Sequence, residues 1–318
     1  MSTHRQQHSA AWVRHFAERG HPGARPLAVG VEGAVYRLGD GTVAKVWSGR
    51  RPAAPDLVRR VYEDIARHAP SLPFATPEIL AVEEHEGVLV TYERELRGTP
   101  MRADSAIVAP PRELPARETD ALLTVLRALA AVPGTEAMRR LTVQGDDRPL
   151  WEGHTRFPDA LADLVGRAVG RHGELLAARV PDLAAIVRRT TESLVALPDG
   201  PFVSVVHGDL VPPNIHVDDT GAPTAVLDFG FFTTAGDPAF EAAVTAAVWD
   251  MYGPYAGHHT AVLTRLFAEE LRHCPDTLAL YQRGYALATY DLFSSDGSDG
   301  HFRWCAGLLV RGPLTPPR

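Results

Sequence analysis

The sequence predicts an α+β chain in two lobes. Residues 1–95 form a small lobe on an antiparallel β-sheet, with a short leading helix and one main helix; residues 96–318 form a larger, mostly helical lobe. Short runs rich in β-branched and aromatic residues fill the first 95 positions, a proline- and charge-rich segment at 102–117 changes the texture, and long Ala/Leu/Arg-rich stretches follow it. At 318 residues and 45% hydrophobic content, the chain can bury a sizeable core and still leave a cleft between two sub-domains.

In chain order, "AAWVRHFAERG" places Trp12, Val13 and Phe16 at helical spacing and stops at Gly20. "RPLAV", "GAVYRL" and "TVAKVW" read as strands, with Asp40-Gly41 as the tight turn between the last two. From Pro55 to Ala69, Leu57, Val58, Val61, Tyr62 and Ile65 repeat on one helix face, which "PSLPFATP" ends. "EILAVEE" and "GVLVTYERE" resume strand character around a turn at His85 to Gly87, making five strands and one helix by about residue 95. Stretches 118–132, 158–178 and 182–196 then predict helices. "PFVSVV", "NIHV" and "TAVLDFG" predict strands, and helices resume over Pro238 to Tyr252, 257–273 and 277–293.

Composition narrows the function classes. The first ten residues are polar and precede no apolar run of signal or membrane length, so a cytoplasmic protein is expected. Cys274 and Cys305 stand outside any metal-binding spacing. The 39 acids outnumber 32 scattered bases for a formal charge of −7, which disfavours nucleic acid and favours encounter with a cationic small molecule.

"VVHGDLVPPNIHVDD", residues 205–219, sets Asp209 and Asn214 around Pro212 and Pro213, and consecutive prolines keep such a loop open and stiff. Asp228 follows at the end of the strand "TAVL", before Phe229-Gly230, where glycine lets the chain turn away from the carboxylate. This trio suits magnesium-dependent phosphoryl transfer: Asn214 Oδ1 and the Asp228 carboxylate are hard oxygen ligands for Mg²⁺. Asp209 is then the base that takes the proton of an attacking hydroxyl. In the small lobe, Lys45 is placed for the α- and β-phosphates, and "GVEGAVY", with Gly30 and Gly33, for a backbone phosphate loop. Glu63, the single glutamate between Lys45 and Pro77, is the candidate partner of that lysine.

Taken singly, these residues have plainer readings. Lys45 can be a solvated strand lysine, Glu63 can pair with Arg59 or Arg67, "GVEGAV" can be a turn, and Asp237 before Pro238 is an N-cap. His207, Asp209, His216 and Asp218 could be read as a two-metal hydrolase, but His216 and Asp218 lie a strand's length beyond the loop. "DLFSSDGSDG" lacks the ligand alternation and closing glutamate of a calcium loop. A pseudokinase binding module finds no support, since every expected polar residue is present.

Together, "VVHGDLVPPN", "VLDFG" and "GDPAFE" resemble the catalytic loop, metal motif and following helix start of the aminoglycoside phosphotransferase family, over about Leu27 to Glu241. The resemblance implies a bilobal protein-kinase-like fold, ATP or GTP with Mg²⁺, Asp209 as base, Asn214 and Asp228 as metal ligands, Lys45 on the phosphates and Glu63 beside it. It also implies His207 as a support of the loop and "LVTYERELRG" as the inter-lobe hinge, where backbone near Glu93, Arg94 and Glu95 meets the purine. Two features depart from the family pattern: only Gly30 and Gly33 mark the phosphate loop, and Glu241 replaces the usual aspartate. The implied activity is a small-molecule O-kinase, first for an aminoglycoside or related antibiotic, hence antibiotic resistance. Glu241, Asp250 and Asp291, with Asp296 and Asp299, are the acids expected to bind a cationic acceptor. A metabolite kinase of choline, homoserine or amino-sugar type is the alternative, with Trp249, Tyr252, Tyr255 and Trp304 as a cage for a quaternary ammonium. No nucleic-acid or membrane partner is expected; the choice of nucleotide and the oligomeric state stay open.

Overall fold

The leading helix, α1 (Ser2–Glu18), is longer than its apolar spacing predicts and lays Trp12 and Phe16 against a sheet. The computed structural model describes residues 2–29, 33–47, 55–68, 71–102, 112–198, 200, 202–294 and 296–311. The sheet contains β1 (Arg25–Val29), β2 (Gly33–Arg37), β3 (Thr42–Trp47), β4 (Ile79–His85) and β5 (Val88–Arg94), in the order β1-β2-β3-β5-β4 and antiparallel throughout. Because side chains alternate along a strand, Tyr36, Ala44, Val46 and Val90 pack under α1 as a separate small core. Lys45, Trp47, Thr91 and Glu93 are thereby turned to the opposite face, into the cleft. Gly33 opens β2 where a Cβ would meet the Val46 carbonyl oxygen at 2.0 Å, so that position requires glycine for close strand approach.

The main helix of this lobe, α2 (Pro55–Ala66), crosses beside the cleft and is fastened to the other lobe. Its Tyr62 ring meets Phe229 edge-on at 6.1 Å. Its buried Asp64 accepts hydrogen bonds from Thr135 Oγ1 at 2.6 Å and Arg67 Nη1 at 2.5 Å. Arg67 therefore pairs with Asp64 and not with Glu63.

The large lobe contains, among the described residues, α3 (Ala116–Ala130), α4 (Glu136–Arg139), α5 (Phe157–Ala177), α6 (Leu183–Val195), α7 (Pro238–Val248), α8 (Ala256–Glu270), α9 (Pro275–Thr289) and α10 (Gly300–Arg311). Every residue of α7 from Ala239 to Val248 is buried, so its wholly apolar face is accounted for by a position at the centre of the lobe. Short strands frame the loop at 207–214: β7 (Ser204–Val206) pairs with β10 (Thr234–Gly236), and β6 (Thr99–Pro100), β8 (Ile215–Val217) and β9 (Pro223–Val226) form a three-stranded sheet. None of the described helices is long and apolar enough to cross a membrane.

The antiparallel sheet, the Asp40-Gly41 turn and α2 lie where the residue pattern predicts them. The elements it missed are β6, β10 and α4, too short to show a period, and α10, whose Phe302, Cys305 and Leu309 carry a helical spacing that went unread.

Candidate active site

The loop after β7 is held by a net of buried hydrogen bonds. Gly208 has φ +75°, and a Cβ there would meet Phe232 Cβ at 2.5 Å, so only glycine lets the loop pass this close to the strand behind it. The His207 ring is fully buried: Nε2 donates to the Leu227 carbonyl at 2.6 Å and Nδ1 accepts the Asp209 N–H at 3.2 Å. Burial pushes its pKa down to about 4, which keeps the ring neutral, and the two hydrogen bonds fix this tautomer. Glu241 of α7 reaches under the loop, where Oε2 accepts the N–H groups of His207 at 2.5 Å and Gly208 at 3.0 Å. Burial raises that carboxyl to about 7 against the pull of these two donors.

Pro212–Asn214 form a single 3₁₀ turn that carries Asn214 back over the loop. Its amide nitrogen donates to the Asp209 carbonyl at 2.9 Å and lies 3.4 Å from Asp209 Oδ2, leaving the amide oxygen as the atom free to bind a cation. The Leu227 N–H donates to the Asn214 carbonyl at 2.9 Å, and the Leu227 carbonyl accepts from His207. Asp228, the next residue, is thereby set beside Asn214. It occupies the left-handed region at φ 57° with its side chain 57% exposed, an uncommon backbone state that turns the carboxylate out of the sheet towards the cleft. Asn214 is thus hydrogen-bonded to Asp209 on one side and has Asp228 one residue from its Leu227 backbone partner on the other, and the oxygen donor types of Asn214 and Asp228 fit a magnesium ion.

Across the cleft, Lys45 Nζ lies 3.1 Å from Asp228 Oδ1 and 4.0 Å from the centre of the Trp47 ring. Trp47 Nε1 donates to Thr91 Oγ1 at 3.2 Å, and Thr91 donates to Glu93 at 2.7 Å. The Glu93 carboxyl is pushed up mainly by burial. A cavity of about 310 Å³ opens here, lined by Lys45, Trp47, Tyr62, Glu93, Asp228 and Phe229 among others. Glu63 does not join this group: it sits on the exposed face of α2, and no ion pair connects it to Lys45 among the described residues. The apolar stripe that packs α2 down turns Tyr62, its neighbour in sequence, into the cleft instead.

The expected hinge is altered too. Register pairs Val43 with Glu93 and Lys45 with Thr91, so Glu93 faces the cleft. The Arg94 and Glu95 N–H groups are already donated to the Glu78 and Gly41 carbonyls, and their side chains pair outwards with Glu78 and Arg37. Neither N–H is available to a purine. Gly30 lies outside the described residues, and Gly33 serves the strand approach described above.

The three acids expected to meet the acceptor have internal partners. Glu241 is under the loop. Buried Asp250 binds His259 Nδ1 at 2.7 Å, and Asp291 binds Arg171 Nε at 3.0 Å. Each carboxylate is inside the lobe and must be neutralised or hydrogen-bonded where it lies. The aromatic cage fails likewise, since Trp249 and Trp304 are core residues at 1% and 7% exposure. An unpredicted wall stands in their place: Phe231, just past Asp228, stacks on Phe293 at 5.8 Å and 11°, and Phe293 meets His301 at 5.2 Å. Phe293 and Tyr252 remain exposed, and Tyr252 lies within electrostatic reach of Asp209.

The profile of the phosphotransferase enzyme family matches residues 23–284. The chain belongs to that family. Several solved structures share the kinase-like fold of this phosphotransferase. The macrolide 2'-phosphotransferase MphH of Brachybacterium faecium is 22% identical, with 97% of this chain and 99% of that one aligned at a TM-score of 0.56. The GDP complex of aminoglycoside 2'-phosphotransferase-IIIa is 14% identical, covering 91% of both chains at 0.57. Aminoglycoside phosphotransferase APH(3'')-Id of Streptomyces rimosus, solved with ADP and streptomycin, is 20% identical over 88% of this chain and 97% of that one, at 0.51. Among curated proteins, no sequence matches.

For this phosphotransferase, the residues that sequence reasoning missed are Trp47, Thr91 and Tyr62 in the cleft and Phe231 and Phe293 beside it. The run "DFGFF" and the alternation of "TVAKVW" against "LVTYE" contained the signal, but which face meets the cleft depends on the other lobe.

Proposed function

We propose that this phosphotransferase moves the γ-phosphoryl group of ATP or GTP onto a hydroxyl of an acceptor with a broad apolar face and a basic nitrogen, of the macrolide kind. Asp209 accepts the hydroxyl proton as the acceptor oxygen bonds to phosphorus and the bridging oxygen departs with the nucleoside diphosphate. Lys45 leaves Asp228 for the nucleotide phosphates. Mg²⁺, when bound by Asn214 and Asp228, supplies neutralisation of phosphate charge. The observation that supports the reading is the hydrogen-bond chain from His207 through Leu227 to Asn214 and on to Asp209, with Asp228 following Leu227 directly.

For the acceptor, the support is the spending of Glu241, Asp250 and Asp291 on internal partners while aromatic surface stays exposed beside the loop. Alignment over nearly the full length of a macrolide phosphotransferase points the same way. The net charge of −7 favours a polycationic aminoglycoside as the second reading. Either acceptor makes antibiotic resistance in the cytoplasm the proposed role. The proposed division of labour places nucleotide binding in residues 1–95 and acceptor binding in residues 96–318.

The test is mass spectrometry of pooled macrolides, aminoglycosides, choline and amino sugars incubated with the protein, magnesium and both nucleotides. A macrolide gaining one phosphoryl group is the expected outcome. An aminoglycoside gaining it instead overturns the acceptor and keeps the reaction; no transfer, together with no magnesium-dependent nucleotide binding, overturns both.

A further inference from the structure

We propose that His15, Glu83 and His85 form a binding site for a zinc-like transition metal on the small lobe, on the sheet face opposite the nucleotide cleft. Two elements meet there. His15 comes from the last turn of α1, while Glu83 and His85, two residues apart, lie on one face of β4. Glu83 pairs with Val90, whose side chain lies in the core under α1, so the group is on the α1 side of the sheet and away from Lys45.

One ligand atom from each of the three lies within 4.8 Å of the others. His15 Nε2 is 3.9 Å from Glu83 Oε1 and is buried without a hydrogen bond. Such an unsatisfied nitrogen is costly in a folded protein, and a cation shared with Oε1 would satisfy it. Glu83 Oε2 is held by Arg19 Nη1 at 2.8 Å and by the Tyr92 hydroxyl at 3.1 Å, which aims Oε1 at the imidazoles. Arg19 Nη2, 2.7 Å from Oε1, is the group that must give way. The two imidazoles lie 4.0 Å apart, and Trp12 stands edge-on to each, walling the site from one side.

The donor set decides the class of ion. Two imidazoles and one carboxylate suit a borderline-soft ion such as zinc, with a fourth position open to water, whereas magnesium prefers oxygen alone. Tetrahedral zinc places nitrogen ligands about 3.3 Å apart, so rotation of side chains suffices to close the set. An ion there would clip α1 to β4 and leave the catalytic loop untouched.

The test is independent of the phosphotransfer reading. Co²⁺ is titrated into the chelator-treated full chain and followed by its visible absorption, with Zn²⁺ as competitor and thermal unfolding as a second readout. One equivalent of Co²⁺ is expected to give a band that Zn²⁺ displaces, and Zn²⁺ should raise Tm by roughly 3 °C or more. His15→Gln and His85→Gln should each weaken Co²⁺ binding by about tenfold or more, abolish the Tm rise, and keep the circular dichroism of the parent. Asp228→Asn should leave the band in place. A band surviving in both histidine variants, a band lost in Asp228→Asn, or no Co²⁺ binding up to millimolar concentration overturns the site.

Discussion

Asp209→Ala is expected to keep nucleotide affinity while turnover falls by about a hundredfold or more, the usual loss for a general base. Single-turnover kinetics beside nucleotide titration separates the two quantities; unchanged turnover would remove Asp209 from the reaction. Asp228→Ala should instead abolish the magnesium-dependent part of nucleotide binding, measured by calorimetry with and without magnesium. It also removes the Asp228 carboxylate from beside Lys45, and any affinity that remains should no longer respond to the metal. Glu241 is a positioning residue whose removal leaves two buried N–H groups without an acceptor. Glu241→Ala should cost about 1–3 kcal/mol of stability for each group and lower kcat, while Glu241→Gln, whose amide oxygen can still accept, should retain most of both.

At the scale of elements, α2 and α4 are joined by Asp64 and Thr135, and α2 carries Tyr62 over Phe229. This join fastens a helix that lines the cleft to the large lobe. Asp64→Ala should therefore destabilise the protein by about 1–3 kcal/mol and raise the KM for nucleotide more than it changes kcat. A chemical melt and steady-state kinetics on one variant check both, and loss of stability without any change in KM would mean that α2 positions nothing in the cleft. These joins explain why the hinge and the lysine partner were misplaced. The alternation of "LVTYER" marks two faces of β5 but not which one looks at the cleft, and the stripe of α2, which includes Tyr62, does not say that it meets the cleft. In both cases the other lobe chooses.

For the whole molecule, the buried titratable groups set a pH dependence. His207 and His301 have pKa values lowered to about 4 from 6.5, so from about pH 6.5 downwards the unfolded chain binds protons that the folded one refuses. Their stabilising effect is present above that range and is lost as pH falls to about 4. Glu241, raised to about 7 from 4.5, acts with the opposite sign: its contribution is full at low pH and is lost as pH rises through 7. Two histidines outweigh one glutamate, so Tm should fall between pH 6.5 and 4.5, and Glu241→Gln should steepen that fall. A Tm that stays flat over this range would mean that the histidines are not buried neutral. By itself the sequence determined the sheet and the order of the loop motifs that contain Asp209, Asn214 and Asp228, because turn residues, short-range periodicity and a stiff Pro-Pro loop act within a few positions of the chain. Only the tertiary structure decided that Glu241, Asp250 and Asp291 are spent inside the lobe and that Phe231 and Phe293 stack beside the cleft. Whether a carboxylate faces solvent or a buried donor, and whether a ring faces core or cleft, depends on elements far away in the chain that pack against it.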